Sequence, residues 1–185
     1  MNWLNEPPQW AGDATALTLT TGPETDFWRK THYGFIHDNG HFLDEEVKGD
    51  FTAEVIFGAD YQALYDQAGL MLRISPDTWI KTGVEFAHGH CMLSAVVTRD
   101  VSDWSISSEV GVKDELRLRM TRKGDAVCIQ WAPASGGPFG TLRLCAFPEG
   151  GARVGPMACS PTRAGLVARF RDFRIGPAID FAASV

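Results

Sequence analysis

Apolar and polar residues alternate along most of this chain, and a helical period almost nowhere replaces the period of two. In 51–57, Phe51, Ala53, Val55 and Phe57 fall on one face, and Thr52, Glu54 and Ile56 on the other. A β-strand points successive side chains to opposite sides of its sheet, so such a segment buries one face and presents the other. Similar segments are predicted at 67–74, 79–86, 91–99, 105–110, 114–122, 125–132, 140–147 and 166–175. Turn residues separate them, at Ser75-Pro76-Asp77, Ala87-His88-Gly89, Arg122-Lys123-Gly124-Asp125 and 133–138. Asp38-Asn39-Gly40 reads as a hairpin, because Asn-Gly accepts the positive φ angles of tight turns. The best helix candidate is "ADYQALYDQ", 59–67, about two turns.

Ten or more short antiparallel strands in 185 residues imply two packed sheets or a closed barrel. Residues 1–185 are expected to form one domain, with 44% hydrophobic residues to fill its core.

Charge and composition narrow the function classes. The net charge is −6, and the densest basic group, Arg117 to Lys123, alternates with apolar residues as a solvated strand face would. No nucleic-acid partner is expected. No apolar run reaches the length of a membrane helix, so no membrane partner is expected either. The first ten residues lack the basic and apolar regions of a signal peptide. Cys91, Cys128, Cys145 and Cys159 show no C-x-x-C spacing and sit among apolar residues, as buried reduced thiols do. Together these features point to a cytoplasmic protein.

The segment 64–86 divides into two unlike faces. Even positions give Ala68, Leu70, Leu72, Ile74, Ile80, Thr82, Val84 and Phe86, a core face. Odd positions give Gln67, Gly69, Met71, Arg73, Trp79, Lys81, Gly83 and Glu85. The Ser-Pro-Asp-Thr connection makes the two strands antiparallel neighbours, so their odd faces share one outer surface. A plain solvated face carries few large aromatics. Glycine weakens a strand unless space is needed above it, and tryptophan offers a flat apolar surface for a sugar ring. The competing reading is a charged outer face with an incidental tryptophan beneath a loop.

The segments "TDFWRKTHYGFIHDNGHF", "GDFTAEVIFGADYQALYDQAGLMLRISPDTWIKTGVEF" and "LSAVVTRDVSDWS" resemble a domain-of-unknown-function family with a concanavalin A-like lectin/glucanase fold. The specific motifs are T-D-F-W at 25–28, T-H-Y-G at 31–34, Y-D-Q-A-G-L-M at 65–71, W-I-K at 79–81 with Glu85, and S-D-W-S at 102–105. The ending "VGPMACSPTRAGLVARFRDFRIG" also resembles the final strands of that superfamily, and the likeness runs from about residue 3 to 176. It implies an all-β jelly-roll sandwich of two curved antiparallel sheets, whose concave sheet holds carbohydrate in many such folds. One fungal member is linked to regulation of enolase, which implies a possible metabolic-enzyme partner. Fold alone does not assign activity.

Three functions fit the residue types. Binding of a carbohydrate or sugar-derived small molecule needs least: Trp28, Tyr33, Trp79 and Trp104 for stacking, and His32, Gln67, Lys81, Glu85 and Asp103 for oriented polar contacts, with Tyr65 and Arg73 as further ligand-binding candidates. Lys81 would also suit a sugar phosphate or another anion. A sugar-directed enzyme would use Glu85 and Lys81. Retaining glycosidases need two carboxylates about 5 Å apart, and Lys81 stands where a partner acid is wanted; Asp26, Asp66 or Asp103 would have to supply it through folding. A lyase would need a Tyr or His base with Arg or Gln neutralising a uronate. The third function is an interaction module acting on a metabolic enzyme. No cofactor is expected, since both phosphate-loop patterns are absent. No metal is expected: His37, His41, His88 and His90 flank turns and read as solvated histidines.

Overall fold

The computed structural model describes residues 1–13 and 15–181. Its strands build two seven-stranded antiparallel sheets and one small two-stranded sheet, with no helix among the described residues. The first sheet runs in the order β1 (Asn2–Leu4), β6 (His41–Val47), β15 (Ala152–Cys159), β8 (Gln67–Ser75), β9 (Thr78–Ala87), β10 (His90–Arg99) and β11 (Val101–Val110). The second runs β14 (Gly140–Ala146), β13 (Ala126–Pro133), β12 (Leu116–Lys123), β7 (Phe51–Ala59), β16 (Val167–Gly176), β3 (Ala16–Thr20) and β2 (Gln9–Gly12). β4 (Phe27–Arg29) and β5 (Ile36–Asp38) pair only with each other. This is a β-sandwich, one of the two architectures the alternation allows, and of the jelly-roll class that the family resemblance implies.

The even residues of β8 and β9 enter the core between the sheets. Ala68, Leu70, Leu72, Ile80 and Val84 pack in one cluster with Val55, Phe57, Leu118, Met120 and Phe170. Each fully buried Leu, Ile or Phe contributes about 1.5–3 kcal/mol. Thr82 also faces inward, and its hydroxyl donates to the Ser94 carbonyl at 2.9 Å.

A second, smaller core lies on the other side of the first sheet. Phe27 and Trp28 of β4 cover Phe42, Met71, Trp79, Val96, Met157 and Cys159 of the sheet and its edge. The segment from Gly22 to His41 therefore roofs a face that the sequence presents as an outer one. Backbone and histidine hydrogen bonds are among its anchors. The Arg29 N–H donates to Ser102 Oγ at 2.9 Å. His41 is buried, accepts from the Gly22 N–H at 3.0 Å, and binds the Asn5 carbonyl through Nδ1 at 2.6 Å. His41 is thus a structural residue rather than a solvated turn histidine, and burial lowers its pKa.

Several sequence expectations are corrected by long-range packing. Asp38-Asn39-Gly40 is not a hairpin: β5 pairs with β4, while β6 pairs with β1 and β15. Asn39 instead accepts from the Asp26 N–H at 3.0 Å and donates to the Glu24 carbonyl at 3.0 Å. A Cβ on Gly40 would strike the Phe27 ring and Cys159 Sγ. Residues 59–67 form no helix; Asp66 Oδ2 accepts from the Gln62 and Ala63 N–H groups at 2.9 and 3.0 Å and closes a turn. Gly69 and Gly83 face each other across β8 and β9, and a Cβ on either would strike the neighbouring strand's backbone. These two glycines serve strand approach, not space for a ligand. β15, which the sequence hides behind Gly155-Pro156, lies between β6 and β8. The basic run at 117–123 is consumed internally: Arg119 donates to Gln130, and buried Arg122 donates to the Gly150 and Pro148 carbonyls.

Candidate functional site

The roof does not close completely. Beside the smaller core, a cavity of about 400 Å³ opens over β8, β9 and β11. Its floor is the odd face of β8 and β9. Gln67 and Glu85 sit opposite each other in register, and Lys81 lies two steps along the same face, beyond Gly83. All three are at least 94% buried, Lys81 at 3% exposure, Gln67 at 5% and Glu85 at 6%.

The floor is wired to the roof. Lys81 Nζ donates to Asp26 Oδ1 at 2.7 Å. That same oxygen accepts from the Phe27 N–H at 2.8 Å and, more loosely, from Gln67 Nε2 at 3.5 Å. Glu85 Oε2 accepts from Ser94 Oγ at 2.7 Å and from the Trp104 indole N–H at 3.0 Å. Among the described residues, Asp26 Oδ2 and Glu85 Oε1 receive no hydrogen bond. Burial pushes the Glu85 carboxyl above the ordinary carboxylate range, only partly countered by Lys81 and its two donors. For Lys81, burial pulls the pKa down, but the Asp26 carboxylate and other nearby groups outweigh it and the net shift is upward. Its ammonium is therefore charged and already paired.

Aromatic side chains make the walls. Trp28 meets Tyr33 edge to face at 5.8 Å, and Tyr33 stacks on Phe35 at 5.2 Å and 13°. Opposite them, Tyr65 meets Trp104 edge to face at 6.3 Å. The two groups are joined by a 2.9 Å hydrogen bond between the Tyr33 and Tyr65 hydroxyls. That bond, followed by burial, pushes the Tyr65 pKa up to about 12. Glu24, His37, Val96, Pro161 and Thr162 complete the lining.

The residues singled out by sequence divide cleanly. Trp28, Tyr33, Tyr65, Gln67, Lys81, Glu85 and Trp104 line the cavity. Trp79 does not: it is fully buried, packs on Phe27 at 6.2 Å, and donates to the Pro76 carbonyl at 3.3 Å. Its face is taken by the roof. Arg73 is held by Asp38 in a two-point pair at 2.7 and 2.8 Å and does not reach the cavity. Asp103 lies outside it, on the surface, paired with Arg143 at 3.2 Å. His32 sits in the exposed turn before Tyr33, edge-on to that ring at 4.8 Å, also outside the lining. Of the three acids weighed as a partner for Glu85, only Asp26 lines the cavity; Asp66 is fully buried against Arg163. Phe35 and Ser94 were missed. Phe35 had a signal in its exposed aromatic character beside Tyr33; Ser94, one hydroxyl in an apolar strand, had none. No cluster of three or more metal-ligating side chains occurs among the described residues.

Two packed antiparallel sheets with a cavity on one outer face define a β-sandwich of the jelly-roll class. The carbohydrate-binding module CBM66 from Bacillus subtilis shares this fold at a TM-score of 0.57 and 13% identity, covering 94% of both chains. Residues 3–178 match the family described as "Protein of unknown function (DUF1349)", and the chain belongs to it. A Saccharomyces cerevisiae relative named "Regulation of enolase protein 1" is 42% identical over 174 residues, 94% of this chain and 87% of that protein. A crystal structure described as a functionally unknown protein from Saccharomyces cerevisiae superposes with a TM-score of 0.92 at 40% identity, covering 97% of each chain.

Proposed function

We propose that this protein binds a carbohydrate or sugar-derived small molecule in the roofed cavity. The observation that carries the reading is the combination of aromatic walls with a buried, oriented polar floor. Tyr33, Phe35 and Trp104 are each at least 36% exposed at a cavity whose base holds Gln67, Lys81 and Glu85. Sugars present apolar ring faces and a fringe of hydroxyls, and this division of surfaces matches both. The unused acceptors, Glu85 Oε1 and Asp26 Oδ2, suit hydroxyl donors. An anionic ligand fits poorly, because Lys81, the one lysine of the lining, is taken by Asp26. The fold shared with a carbohydrate-binding module lends support.

Thermal-shift titration against neutral and charged sugars tests the reading. At 100 times Kd, mass action adds about 2.7 kcal/mol, a rise of several degrees in Tm for a chain of this size. A Trp104→Ala variant should lose most of that rise. If no sugar shifts the wild type, or the variant responds equally, the proposal fails.

A sugar-directed enzyme is favoured by one observation: Asp26 brings a second carboxylate to the floor that carries Glu85, with Lys81 bound to it. Turnover by wild type, lost in Glu85→Gln, would establish it. The name of the yeast relative supports a metabolic-enzyme partner, and Tyr33, Phe35 and Ile36 supply an exposed apolar rim for one. Calorimetry with purified enolase tests that reading. The proposed setting is the cytoplasm, in keeping with four free cysteines.

A further inference from the structure

The charged groups of the cavity lining are unbalanced. Its lining holds three carboxylates, Glu24, Asp26 and Glu85, against one lysine. Lys81 spends its charge on Asp26 at 2.7 Å. That leaves Glu85 as a carboxylate 6% exposed, with one oxygen satisfied by Ser94 and Trp104 and the other unpartnered. A buried anion with an unused acceptor favours a cation over a neutral donor. Trp104 binds this carboxylate by its ring edge, at 3.0 Å, and Tyr65 stands edge to face with Trp104. Both rings line the cavity beside the carboxylate, and Trp104 is 36% exposed, so a cation held at Glu85 lies within reach of aromatic surface.

We propose that the ligand is an amino sugar with a free, protonated amine, its ammonium held by Glu85 Oε1 against Tyr65 and Trp104. This rests on the carbohydrate reading above and names the subclass. The sugar ring then lies along the aromatic wall of Tyr33 and Phe35, and its hydroxyls donate to Asp26 Oδ2. N-acetylation removes the positive charge and adds bulk, so acetylated sugars are discriminated against. Uronates and sugar phosphates are rejected by the surplus of carboxylates.

Isothermal titration calorimetry at a pH where the amine is protonated tests this. The panel is glucosamine, galactosamine and mannosamine, each beside its neutral parent, its N-acetyl form and choline, with glucuronate as the anion. At least one amino sugar should bind about tenfold more tightly than its neutral parent, the scale of one charge-assisted contact beside an aromatic face. Glu85→Gln should bring that amino sugar down to the level of its parent. If that variant does not fold, as judged by its melting curve, Trp104→Leu should also shrink the ratio. Equal binding of amino and neutral sugars overturns the amine assignment and leaves the carbohydrate reading standing. Binding of choline without any sugar overturns the carbohydrate reading and the amino-sugar proposal with it. Binding of nothing in the panel overturns both.

Discussion

The outer faces of the two sheets carry similar residue types and meet different fates. On the second sheet, Arg171 pairs with Glu115 and Arg169 with Asp60, each side chain about half exposed, and Glu54 pairs with exposed Arg174 and with the more sheltered Arg119. On the first, Lys81, Glu85, Gln67 and Arg73 are all buried. The strands do not make this difference. The segment 22–41 does, by laying Phe27 and Trp28 over one sheet, whereas the outer face of the other shelters Thr52, Thr121, Cys128 and Gln130 but leaves Arg169, Arg171 and Arg174 largely in water. A charge in water is cheap and a charge under a roof must find a partner, so roofing turns an ordinary sheet face into an organised site.

The sharpest way to break the comparison is to remove the roof's footing. Trp79→Ala empties the middle of the smaller core and should cost about 3–5 kcal/mol, read as a lower urea midpoint. A tryptophan that were incidental on a solvated face would cost far less. Asp26→Ala should be nearly as damaging, because it leaves the Lys81 ammonium buried without its partner; breaking a buried pair costs about 3–5 kcal/mol. Arg169→Ala on the second sheet, where both partners are about half exposed, should change stability by only about 0–1 kcal/mol. Equal losses for the two charge deletions would erase the distinction between the faces.

An intermediate effect should appear with pH. His41 accepts the Gly22 N–H and anchors the start of the roof, and burial holds its pKa below the ordinary value of 6.5. The unfolded chain therefore takes up the proton first. Stability is retained above that value and falls as pH drops from about 6.5 through the folded pKa. Glu85 acts in the opposite sense, since its raised pKa lets the folded state bind a proton earlier. Comparing urea denaturation at neutral and mildly acidic pH for wild type and His41→Gln isolates the histidine. Glu85 contributes equally to both, so wild type should lose more stability on acidification than the variant.

The strands of the β8–β9 hairpin were legible because alternation is local and the Ser75–Asp77 turn is short. The floor was legible for the same reason: Gln67, Lys81 and Glu85 share one face by parity alone. The roof was not. Whether Trp79 meets a sugar or Phe27 depends on contacts some fifty residues apart in the chain. Asn39-Gly40 misled because a local turn signal was overruled by pairing with distant strands. β15 was hidden because Gly155-Pro156 reads as a break, yet Gly155 is required where β15 crowds the Leu43 carbonyl. Charge balance was equally hidden: Lys81 looked like an anion hook until Asp26 was placed beside it.

The central claim, an aromatic-walled sugar site on the roofed face, meets its most direct test in the indole N–H signals of the protein's six tryptophans. Titration with the amino sugar that binds best, followed by two-dimensional NMR, should move the signals of Trp104 and Trp28, which line the cavity. Those of Trp3, Trp10, Trp79 and Trp131 should stay in place. Movement confined to Trp10 or Trp131, or a saturating ligand that leaves Trp104 unmoved, would contradict the account.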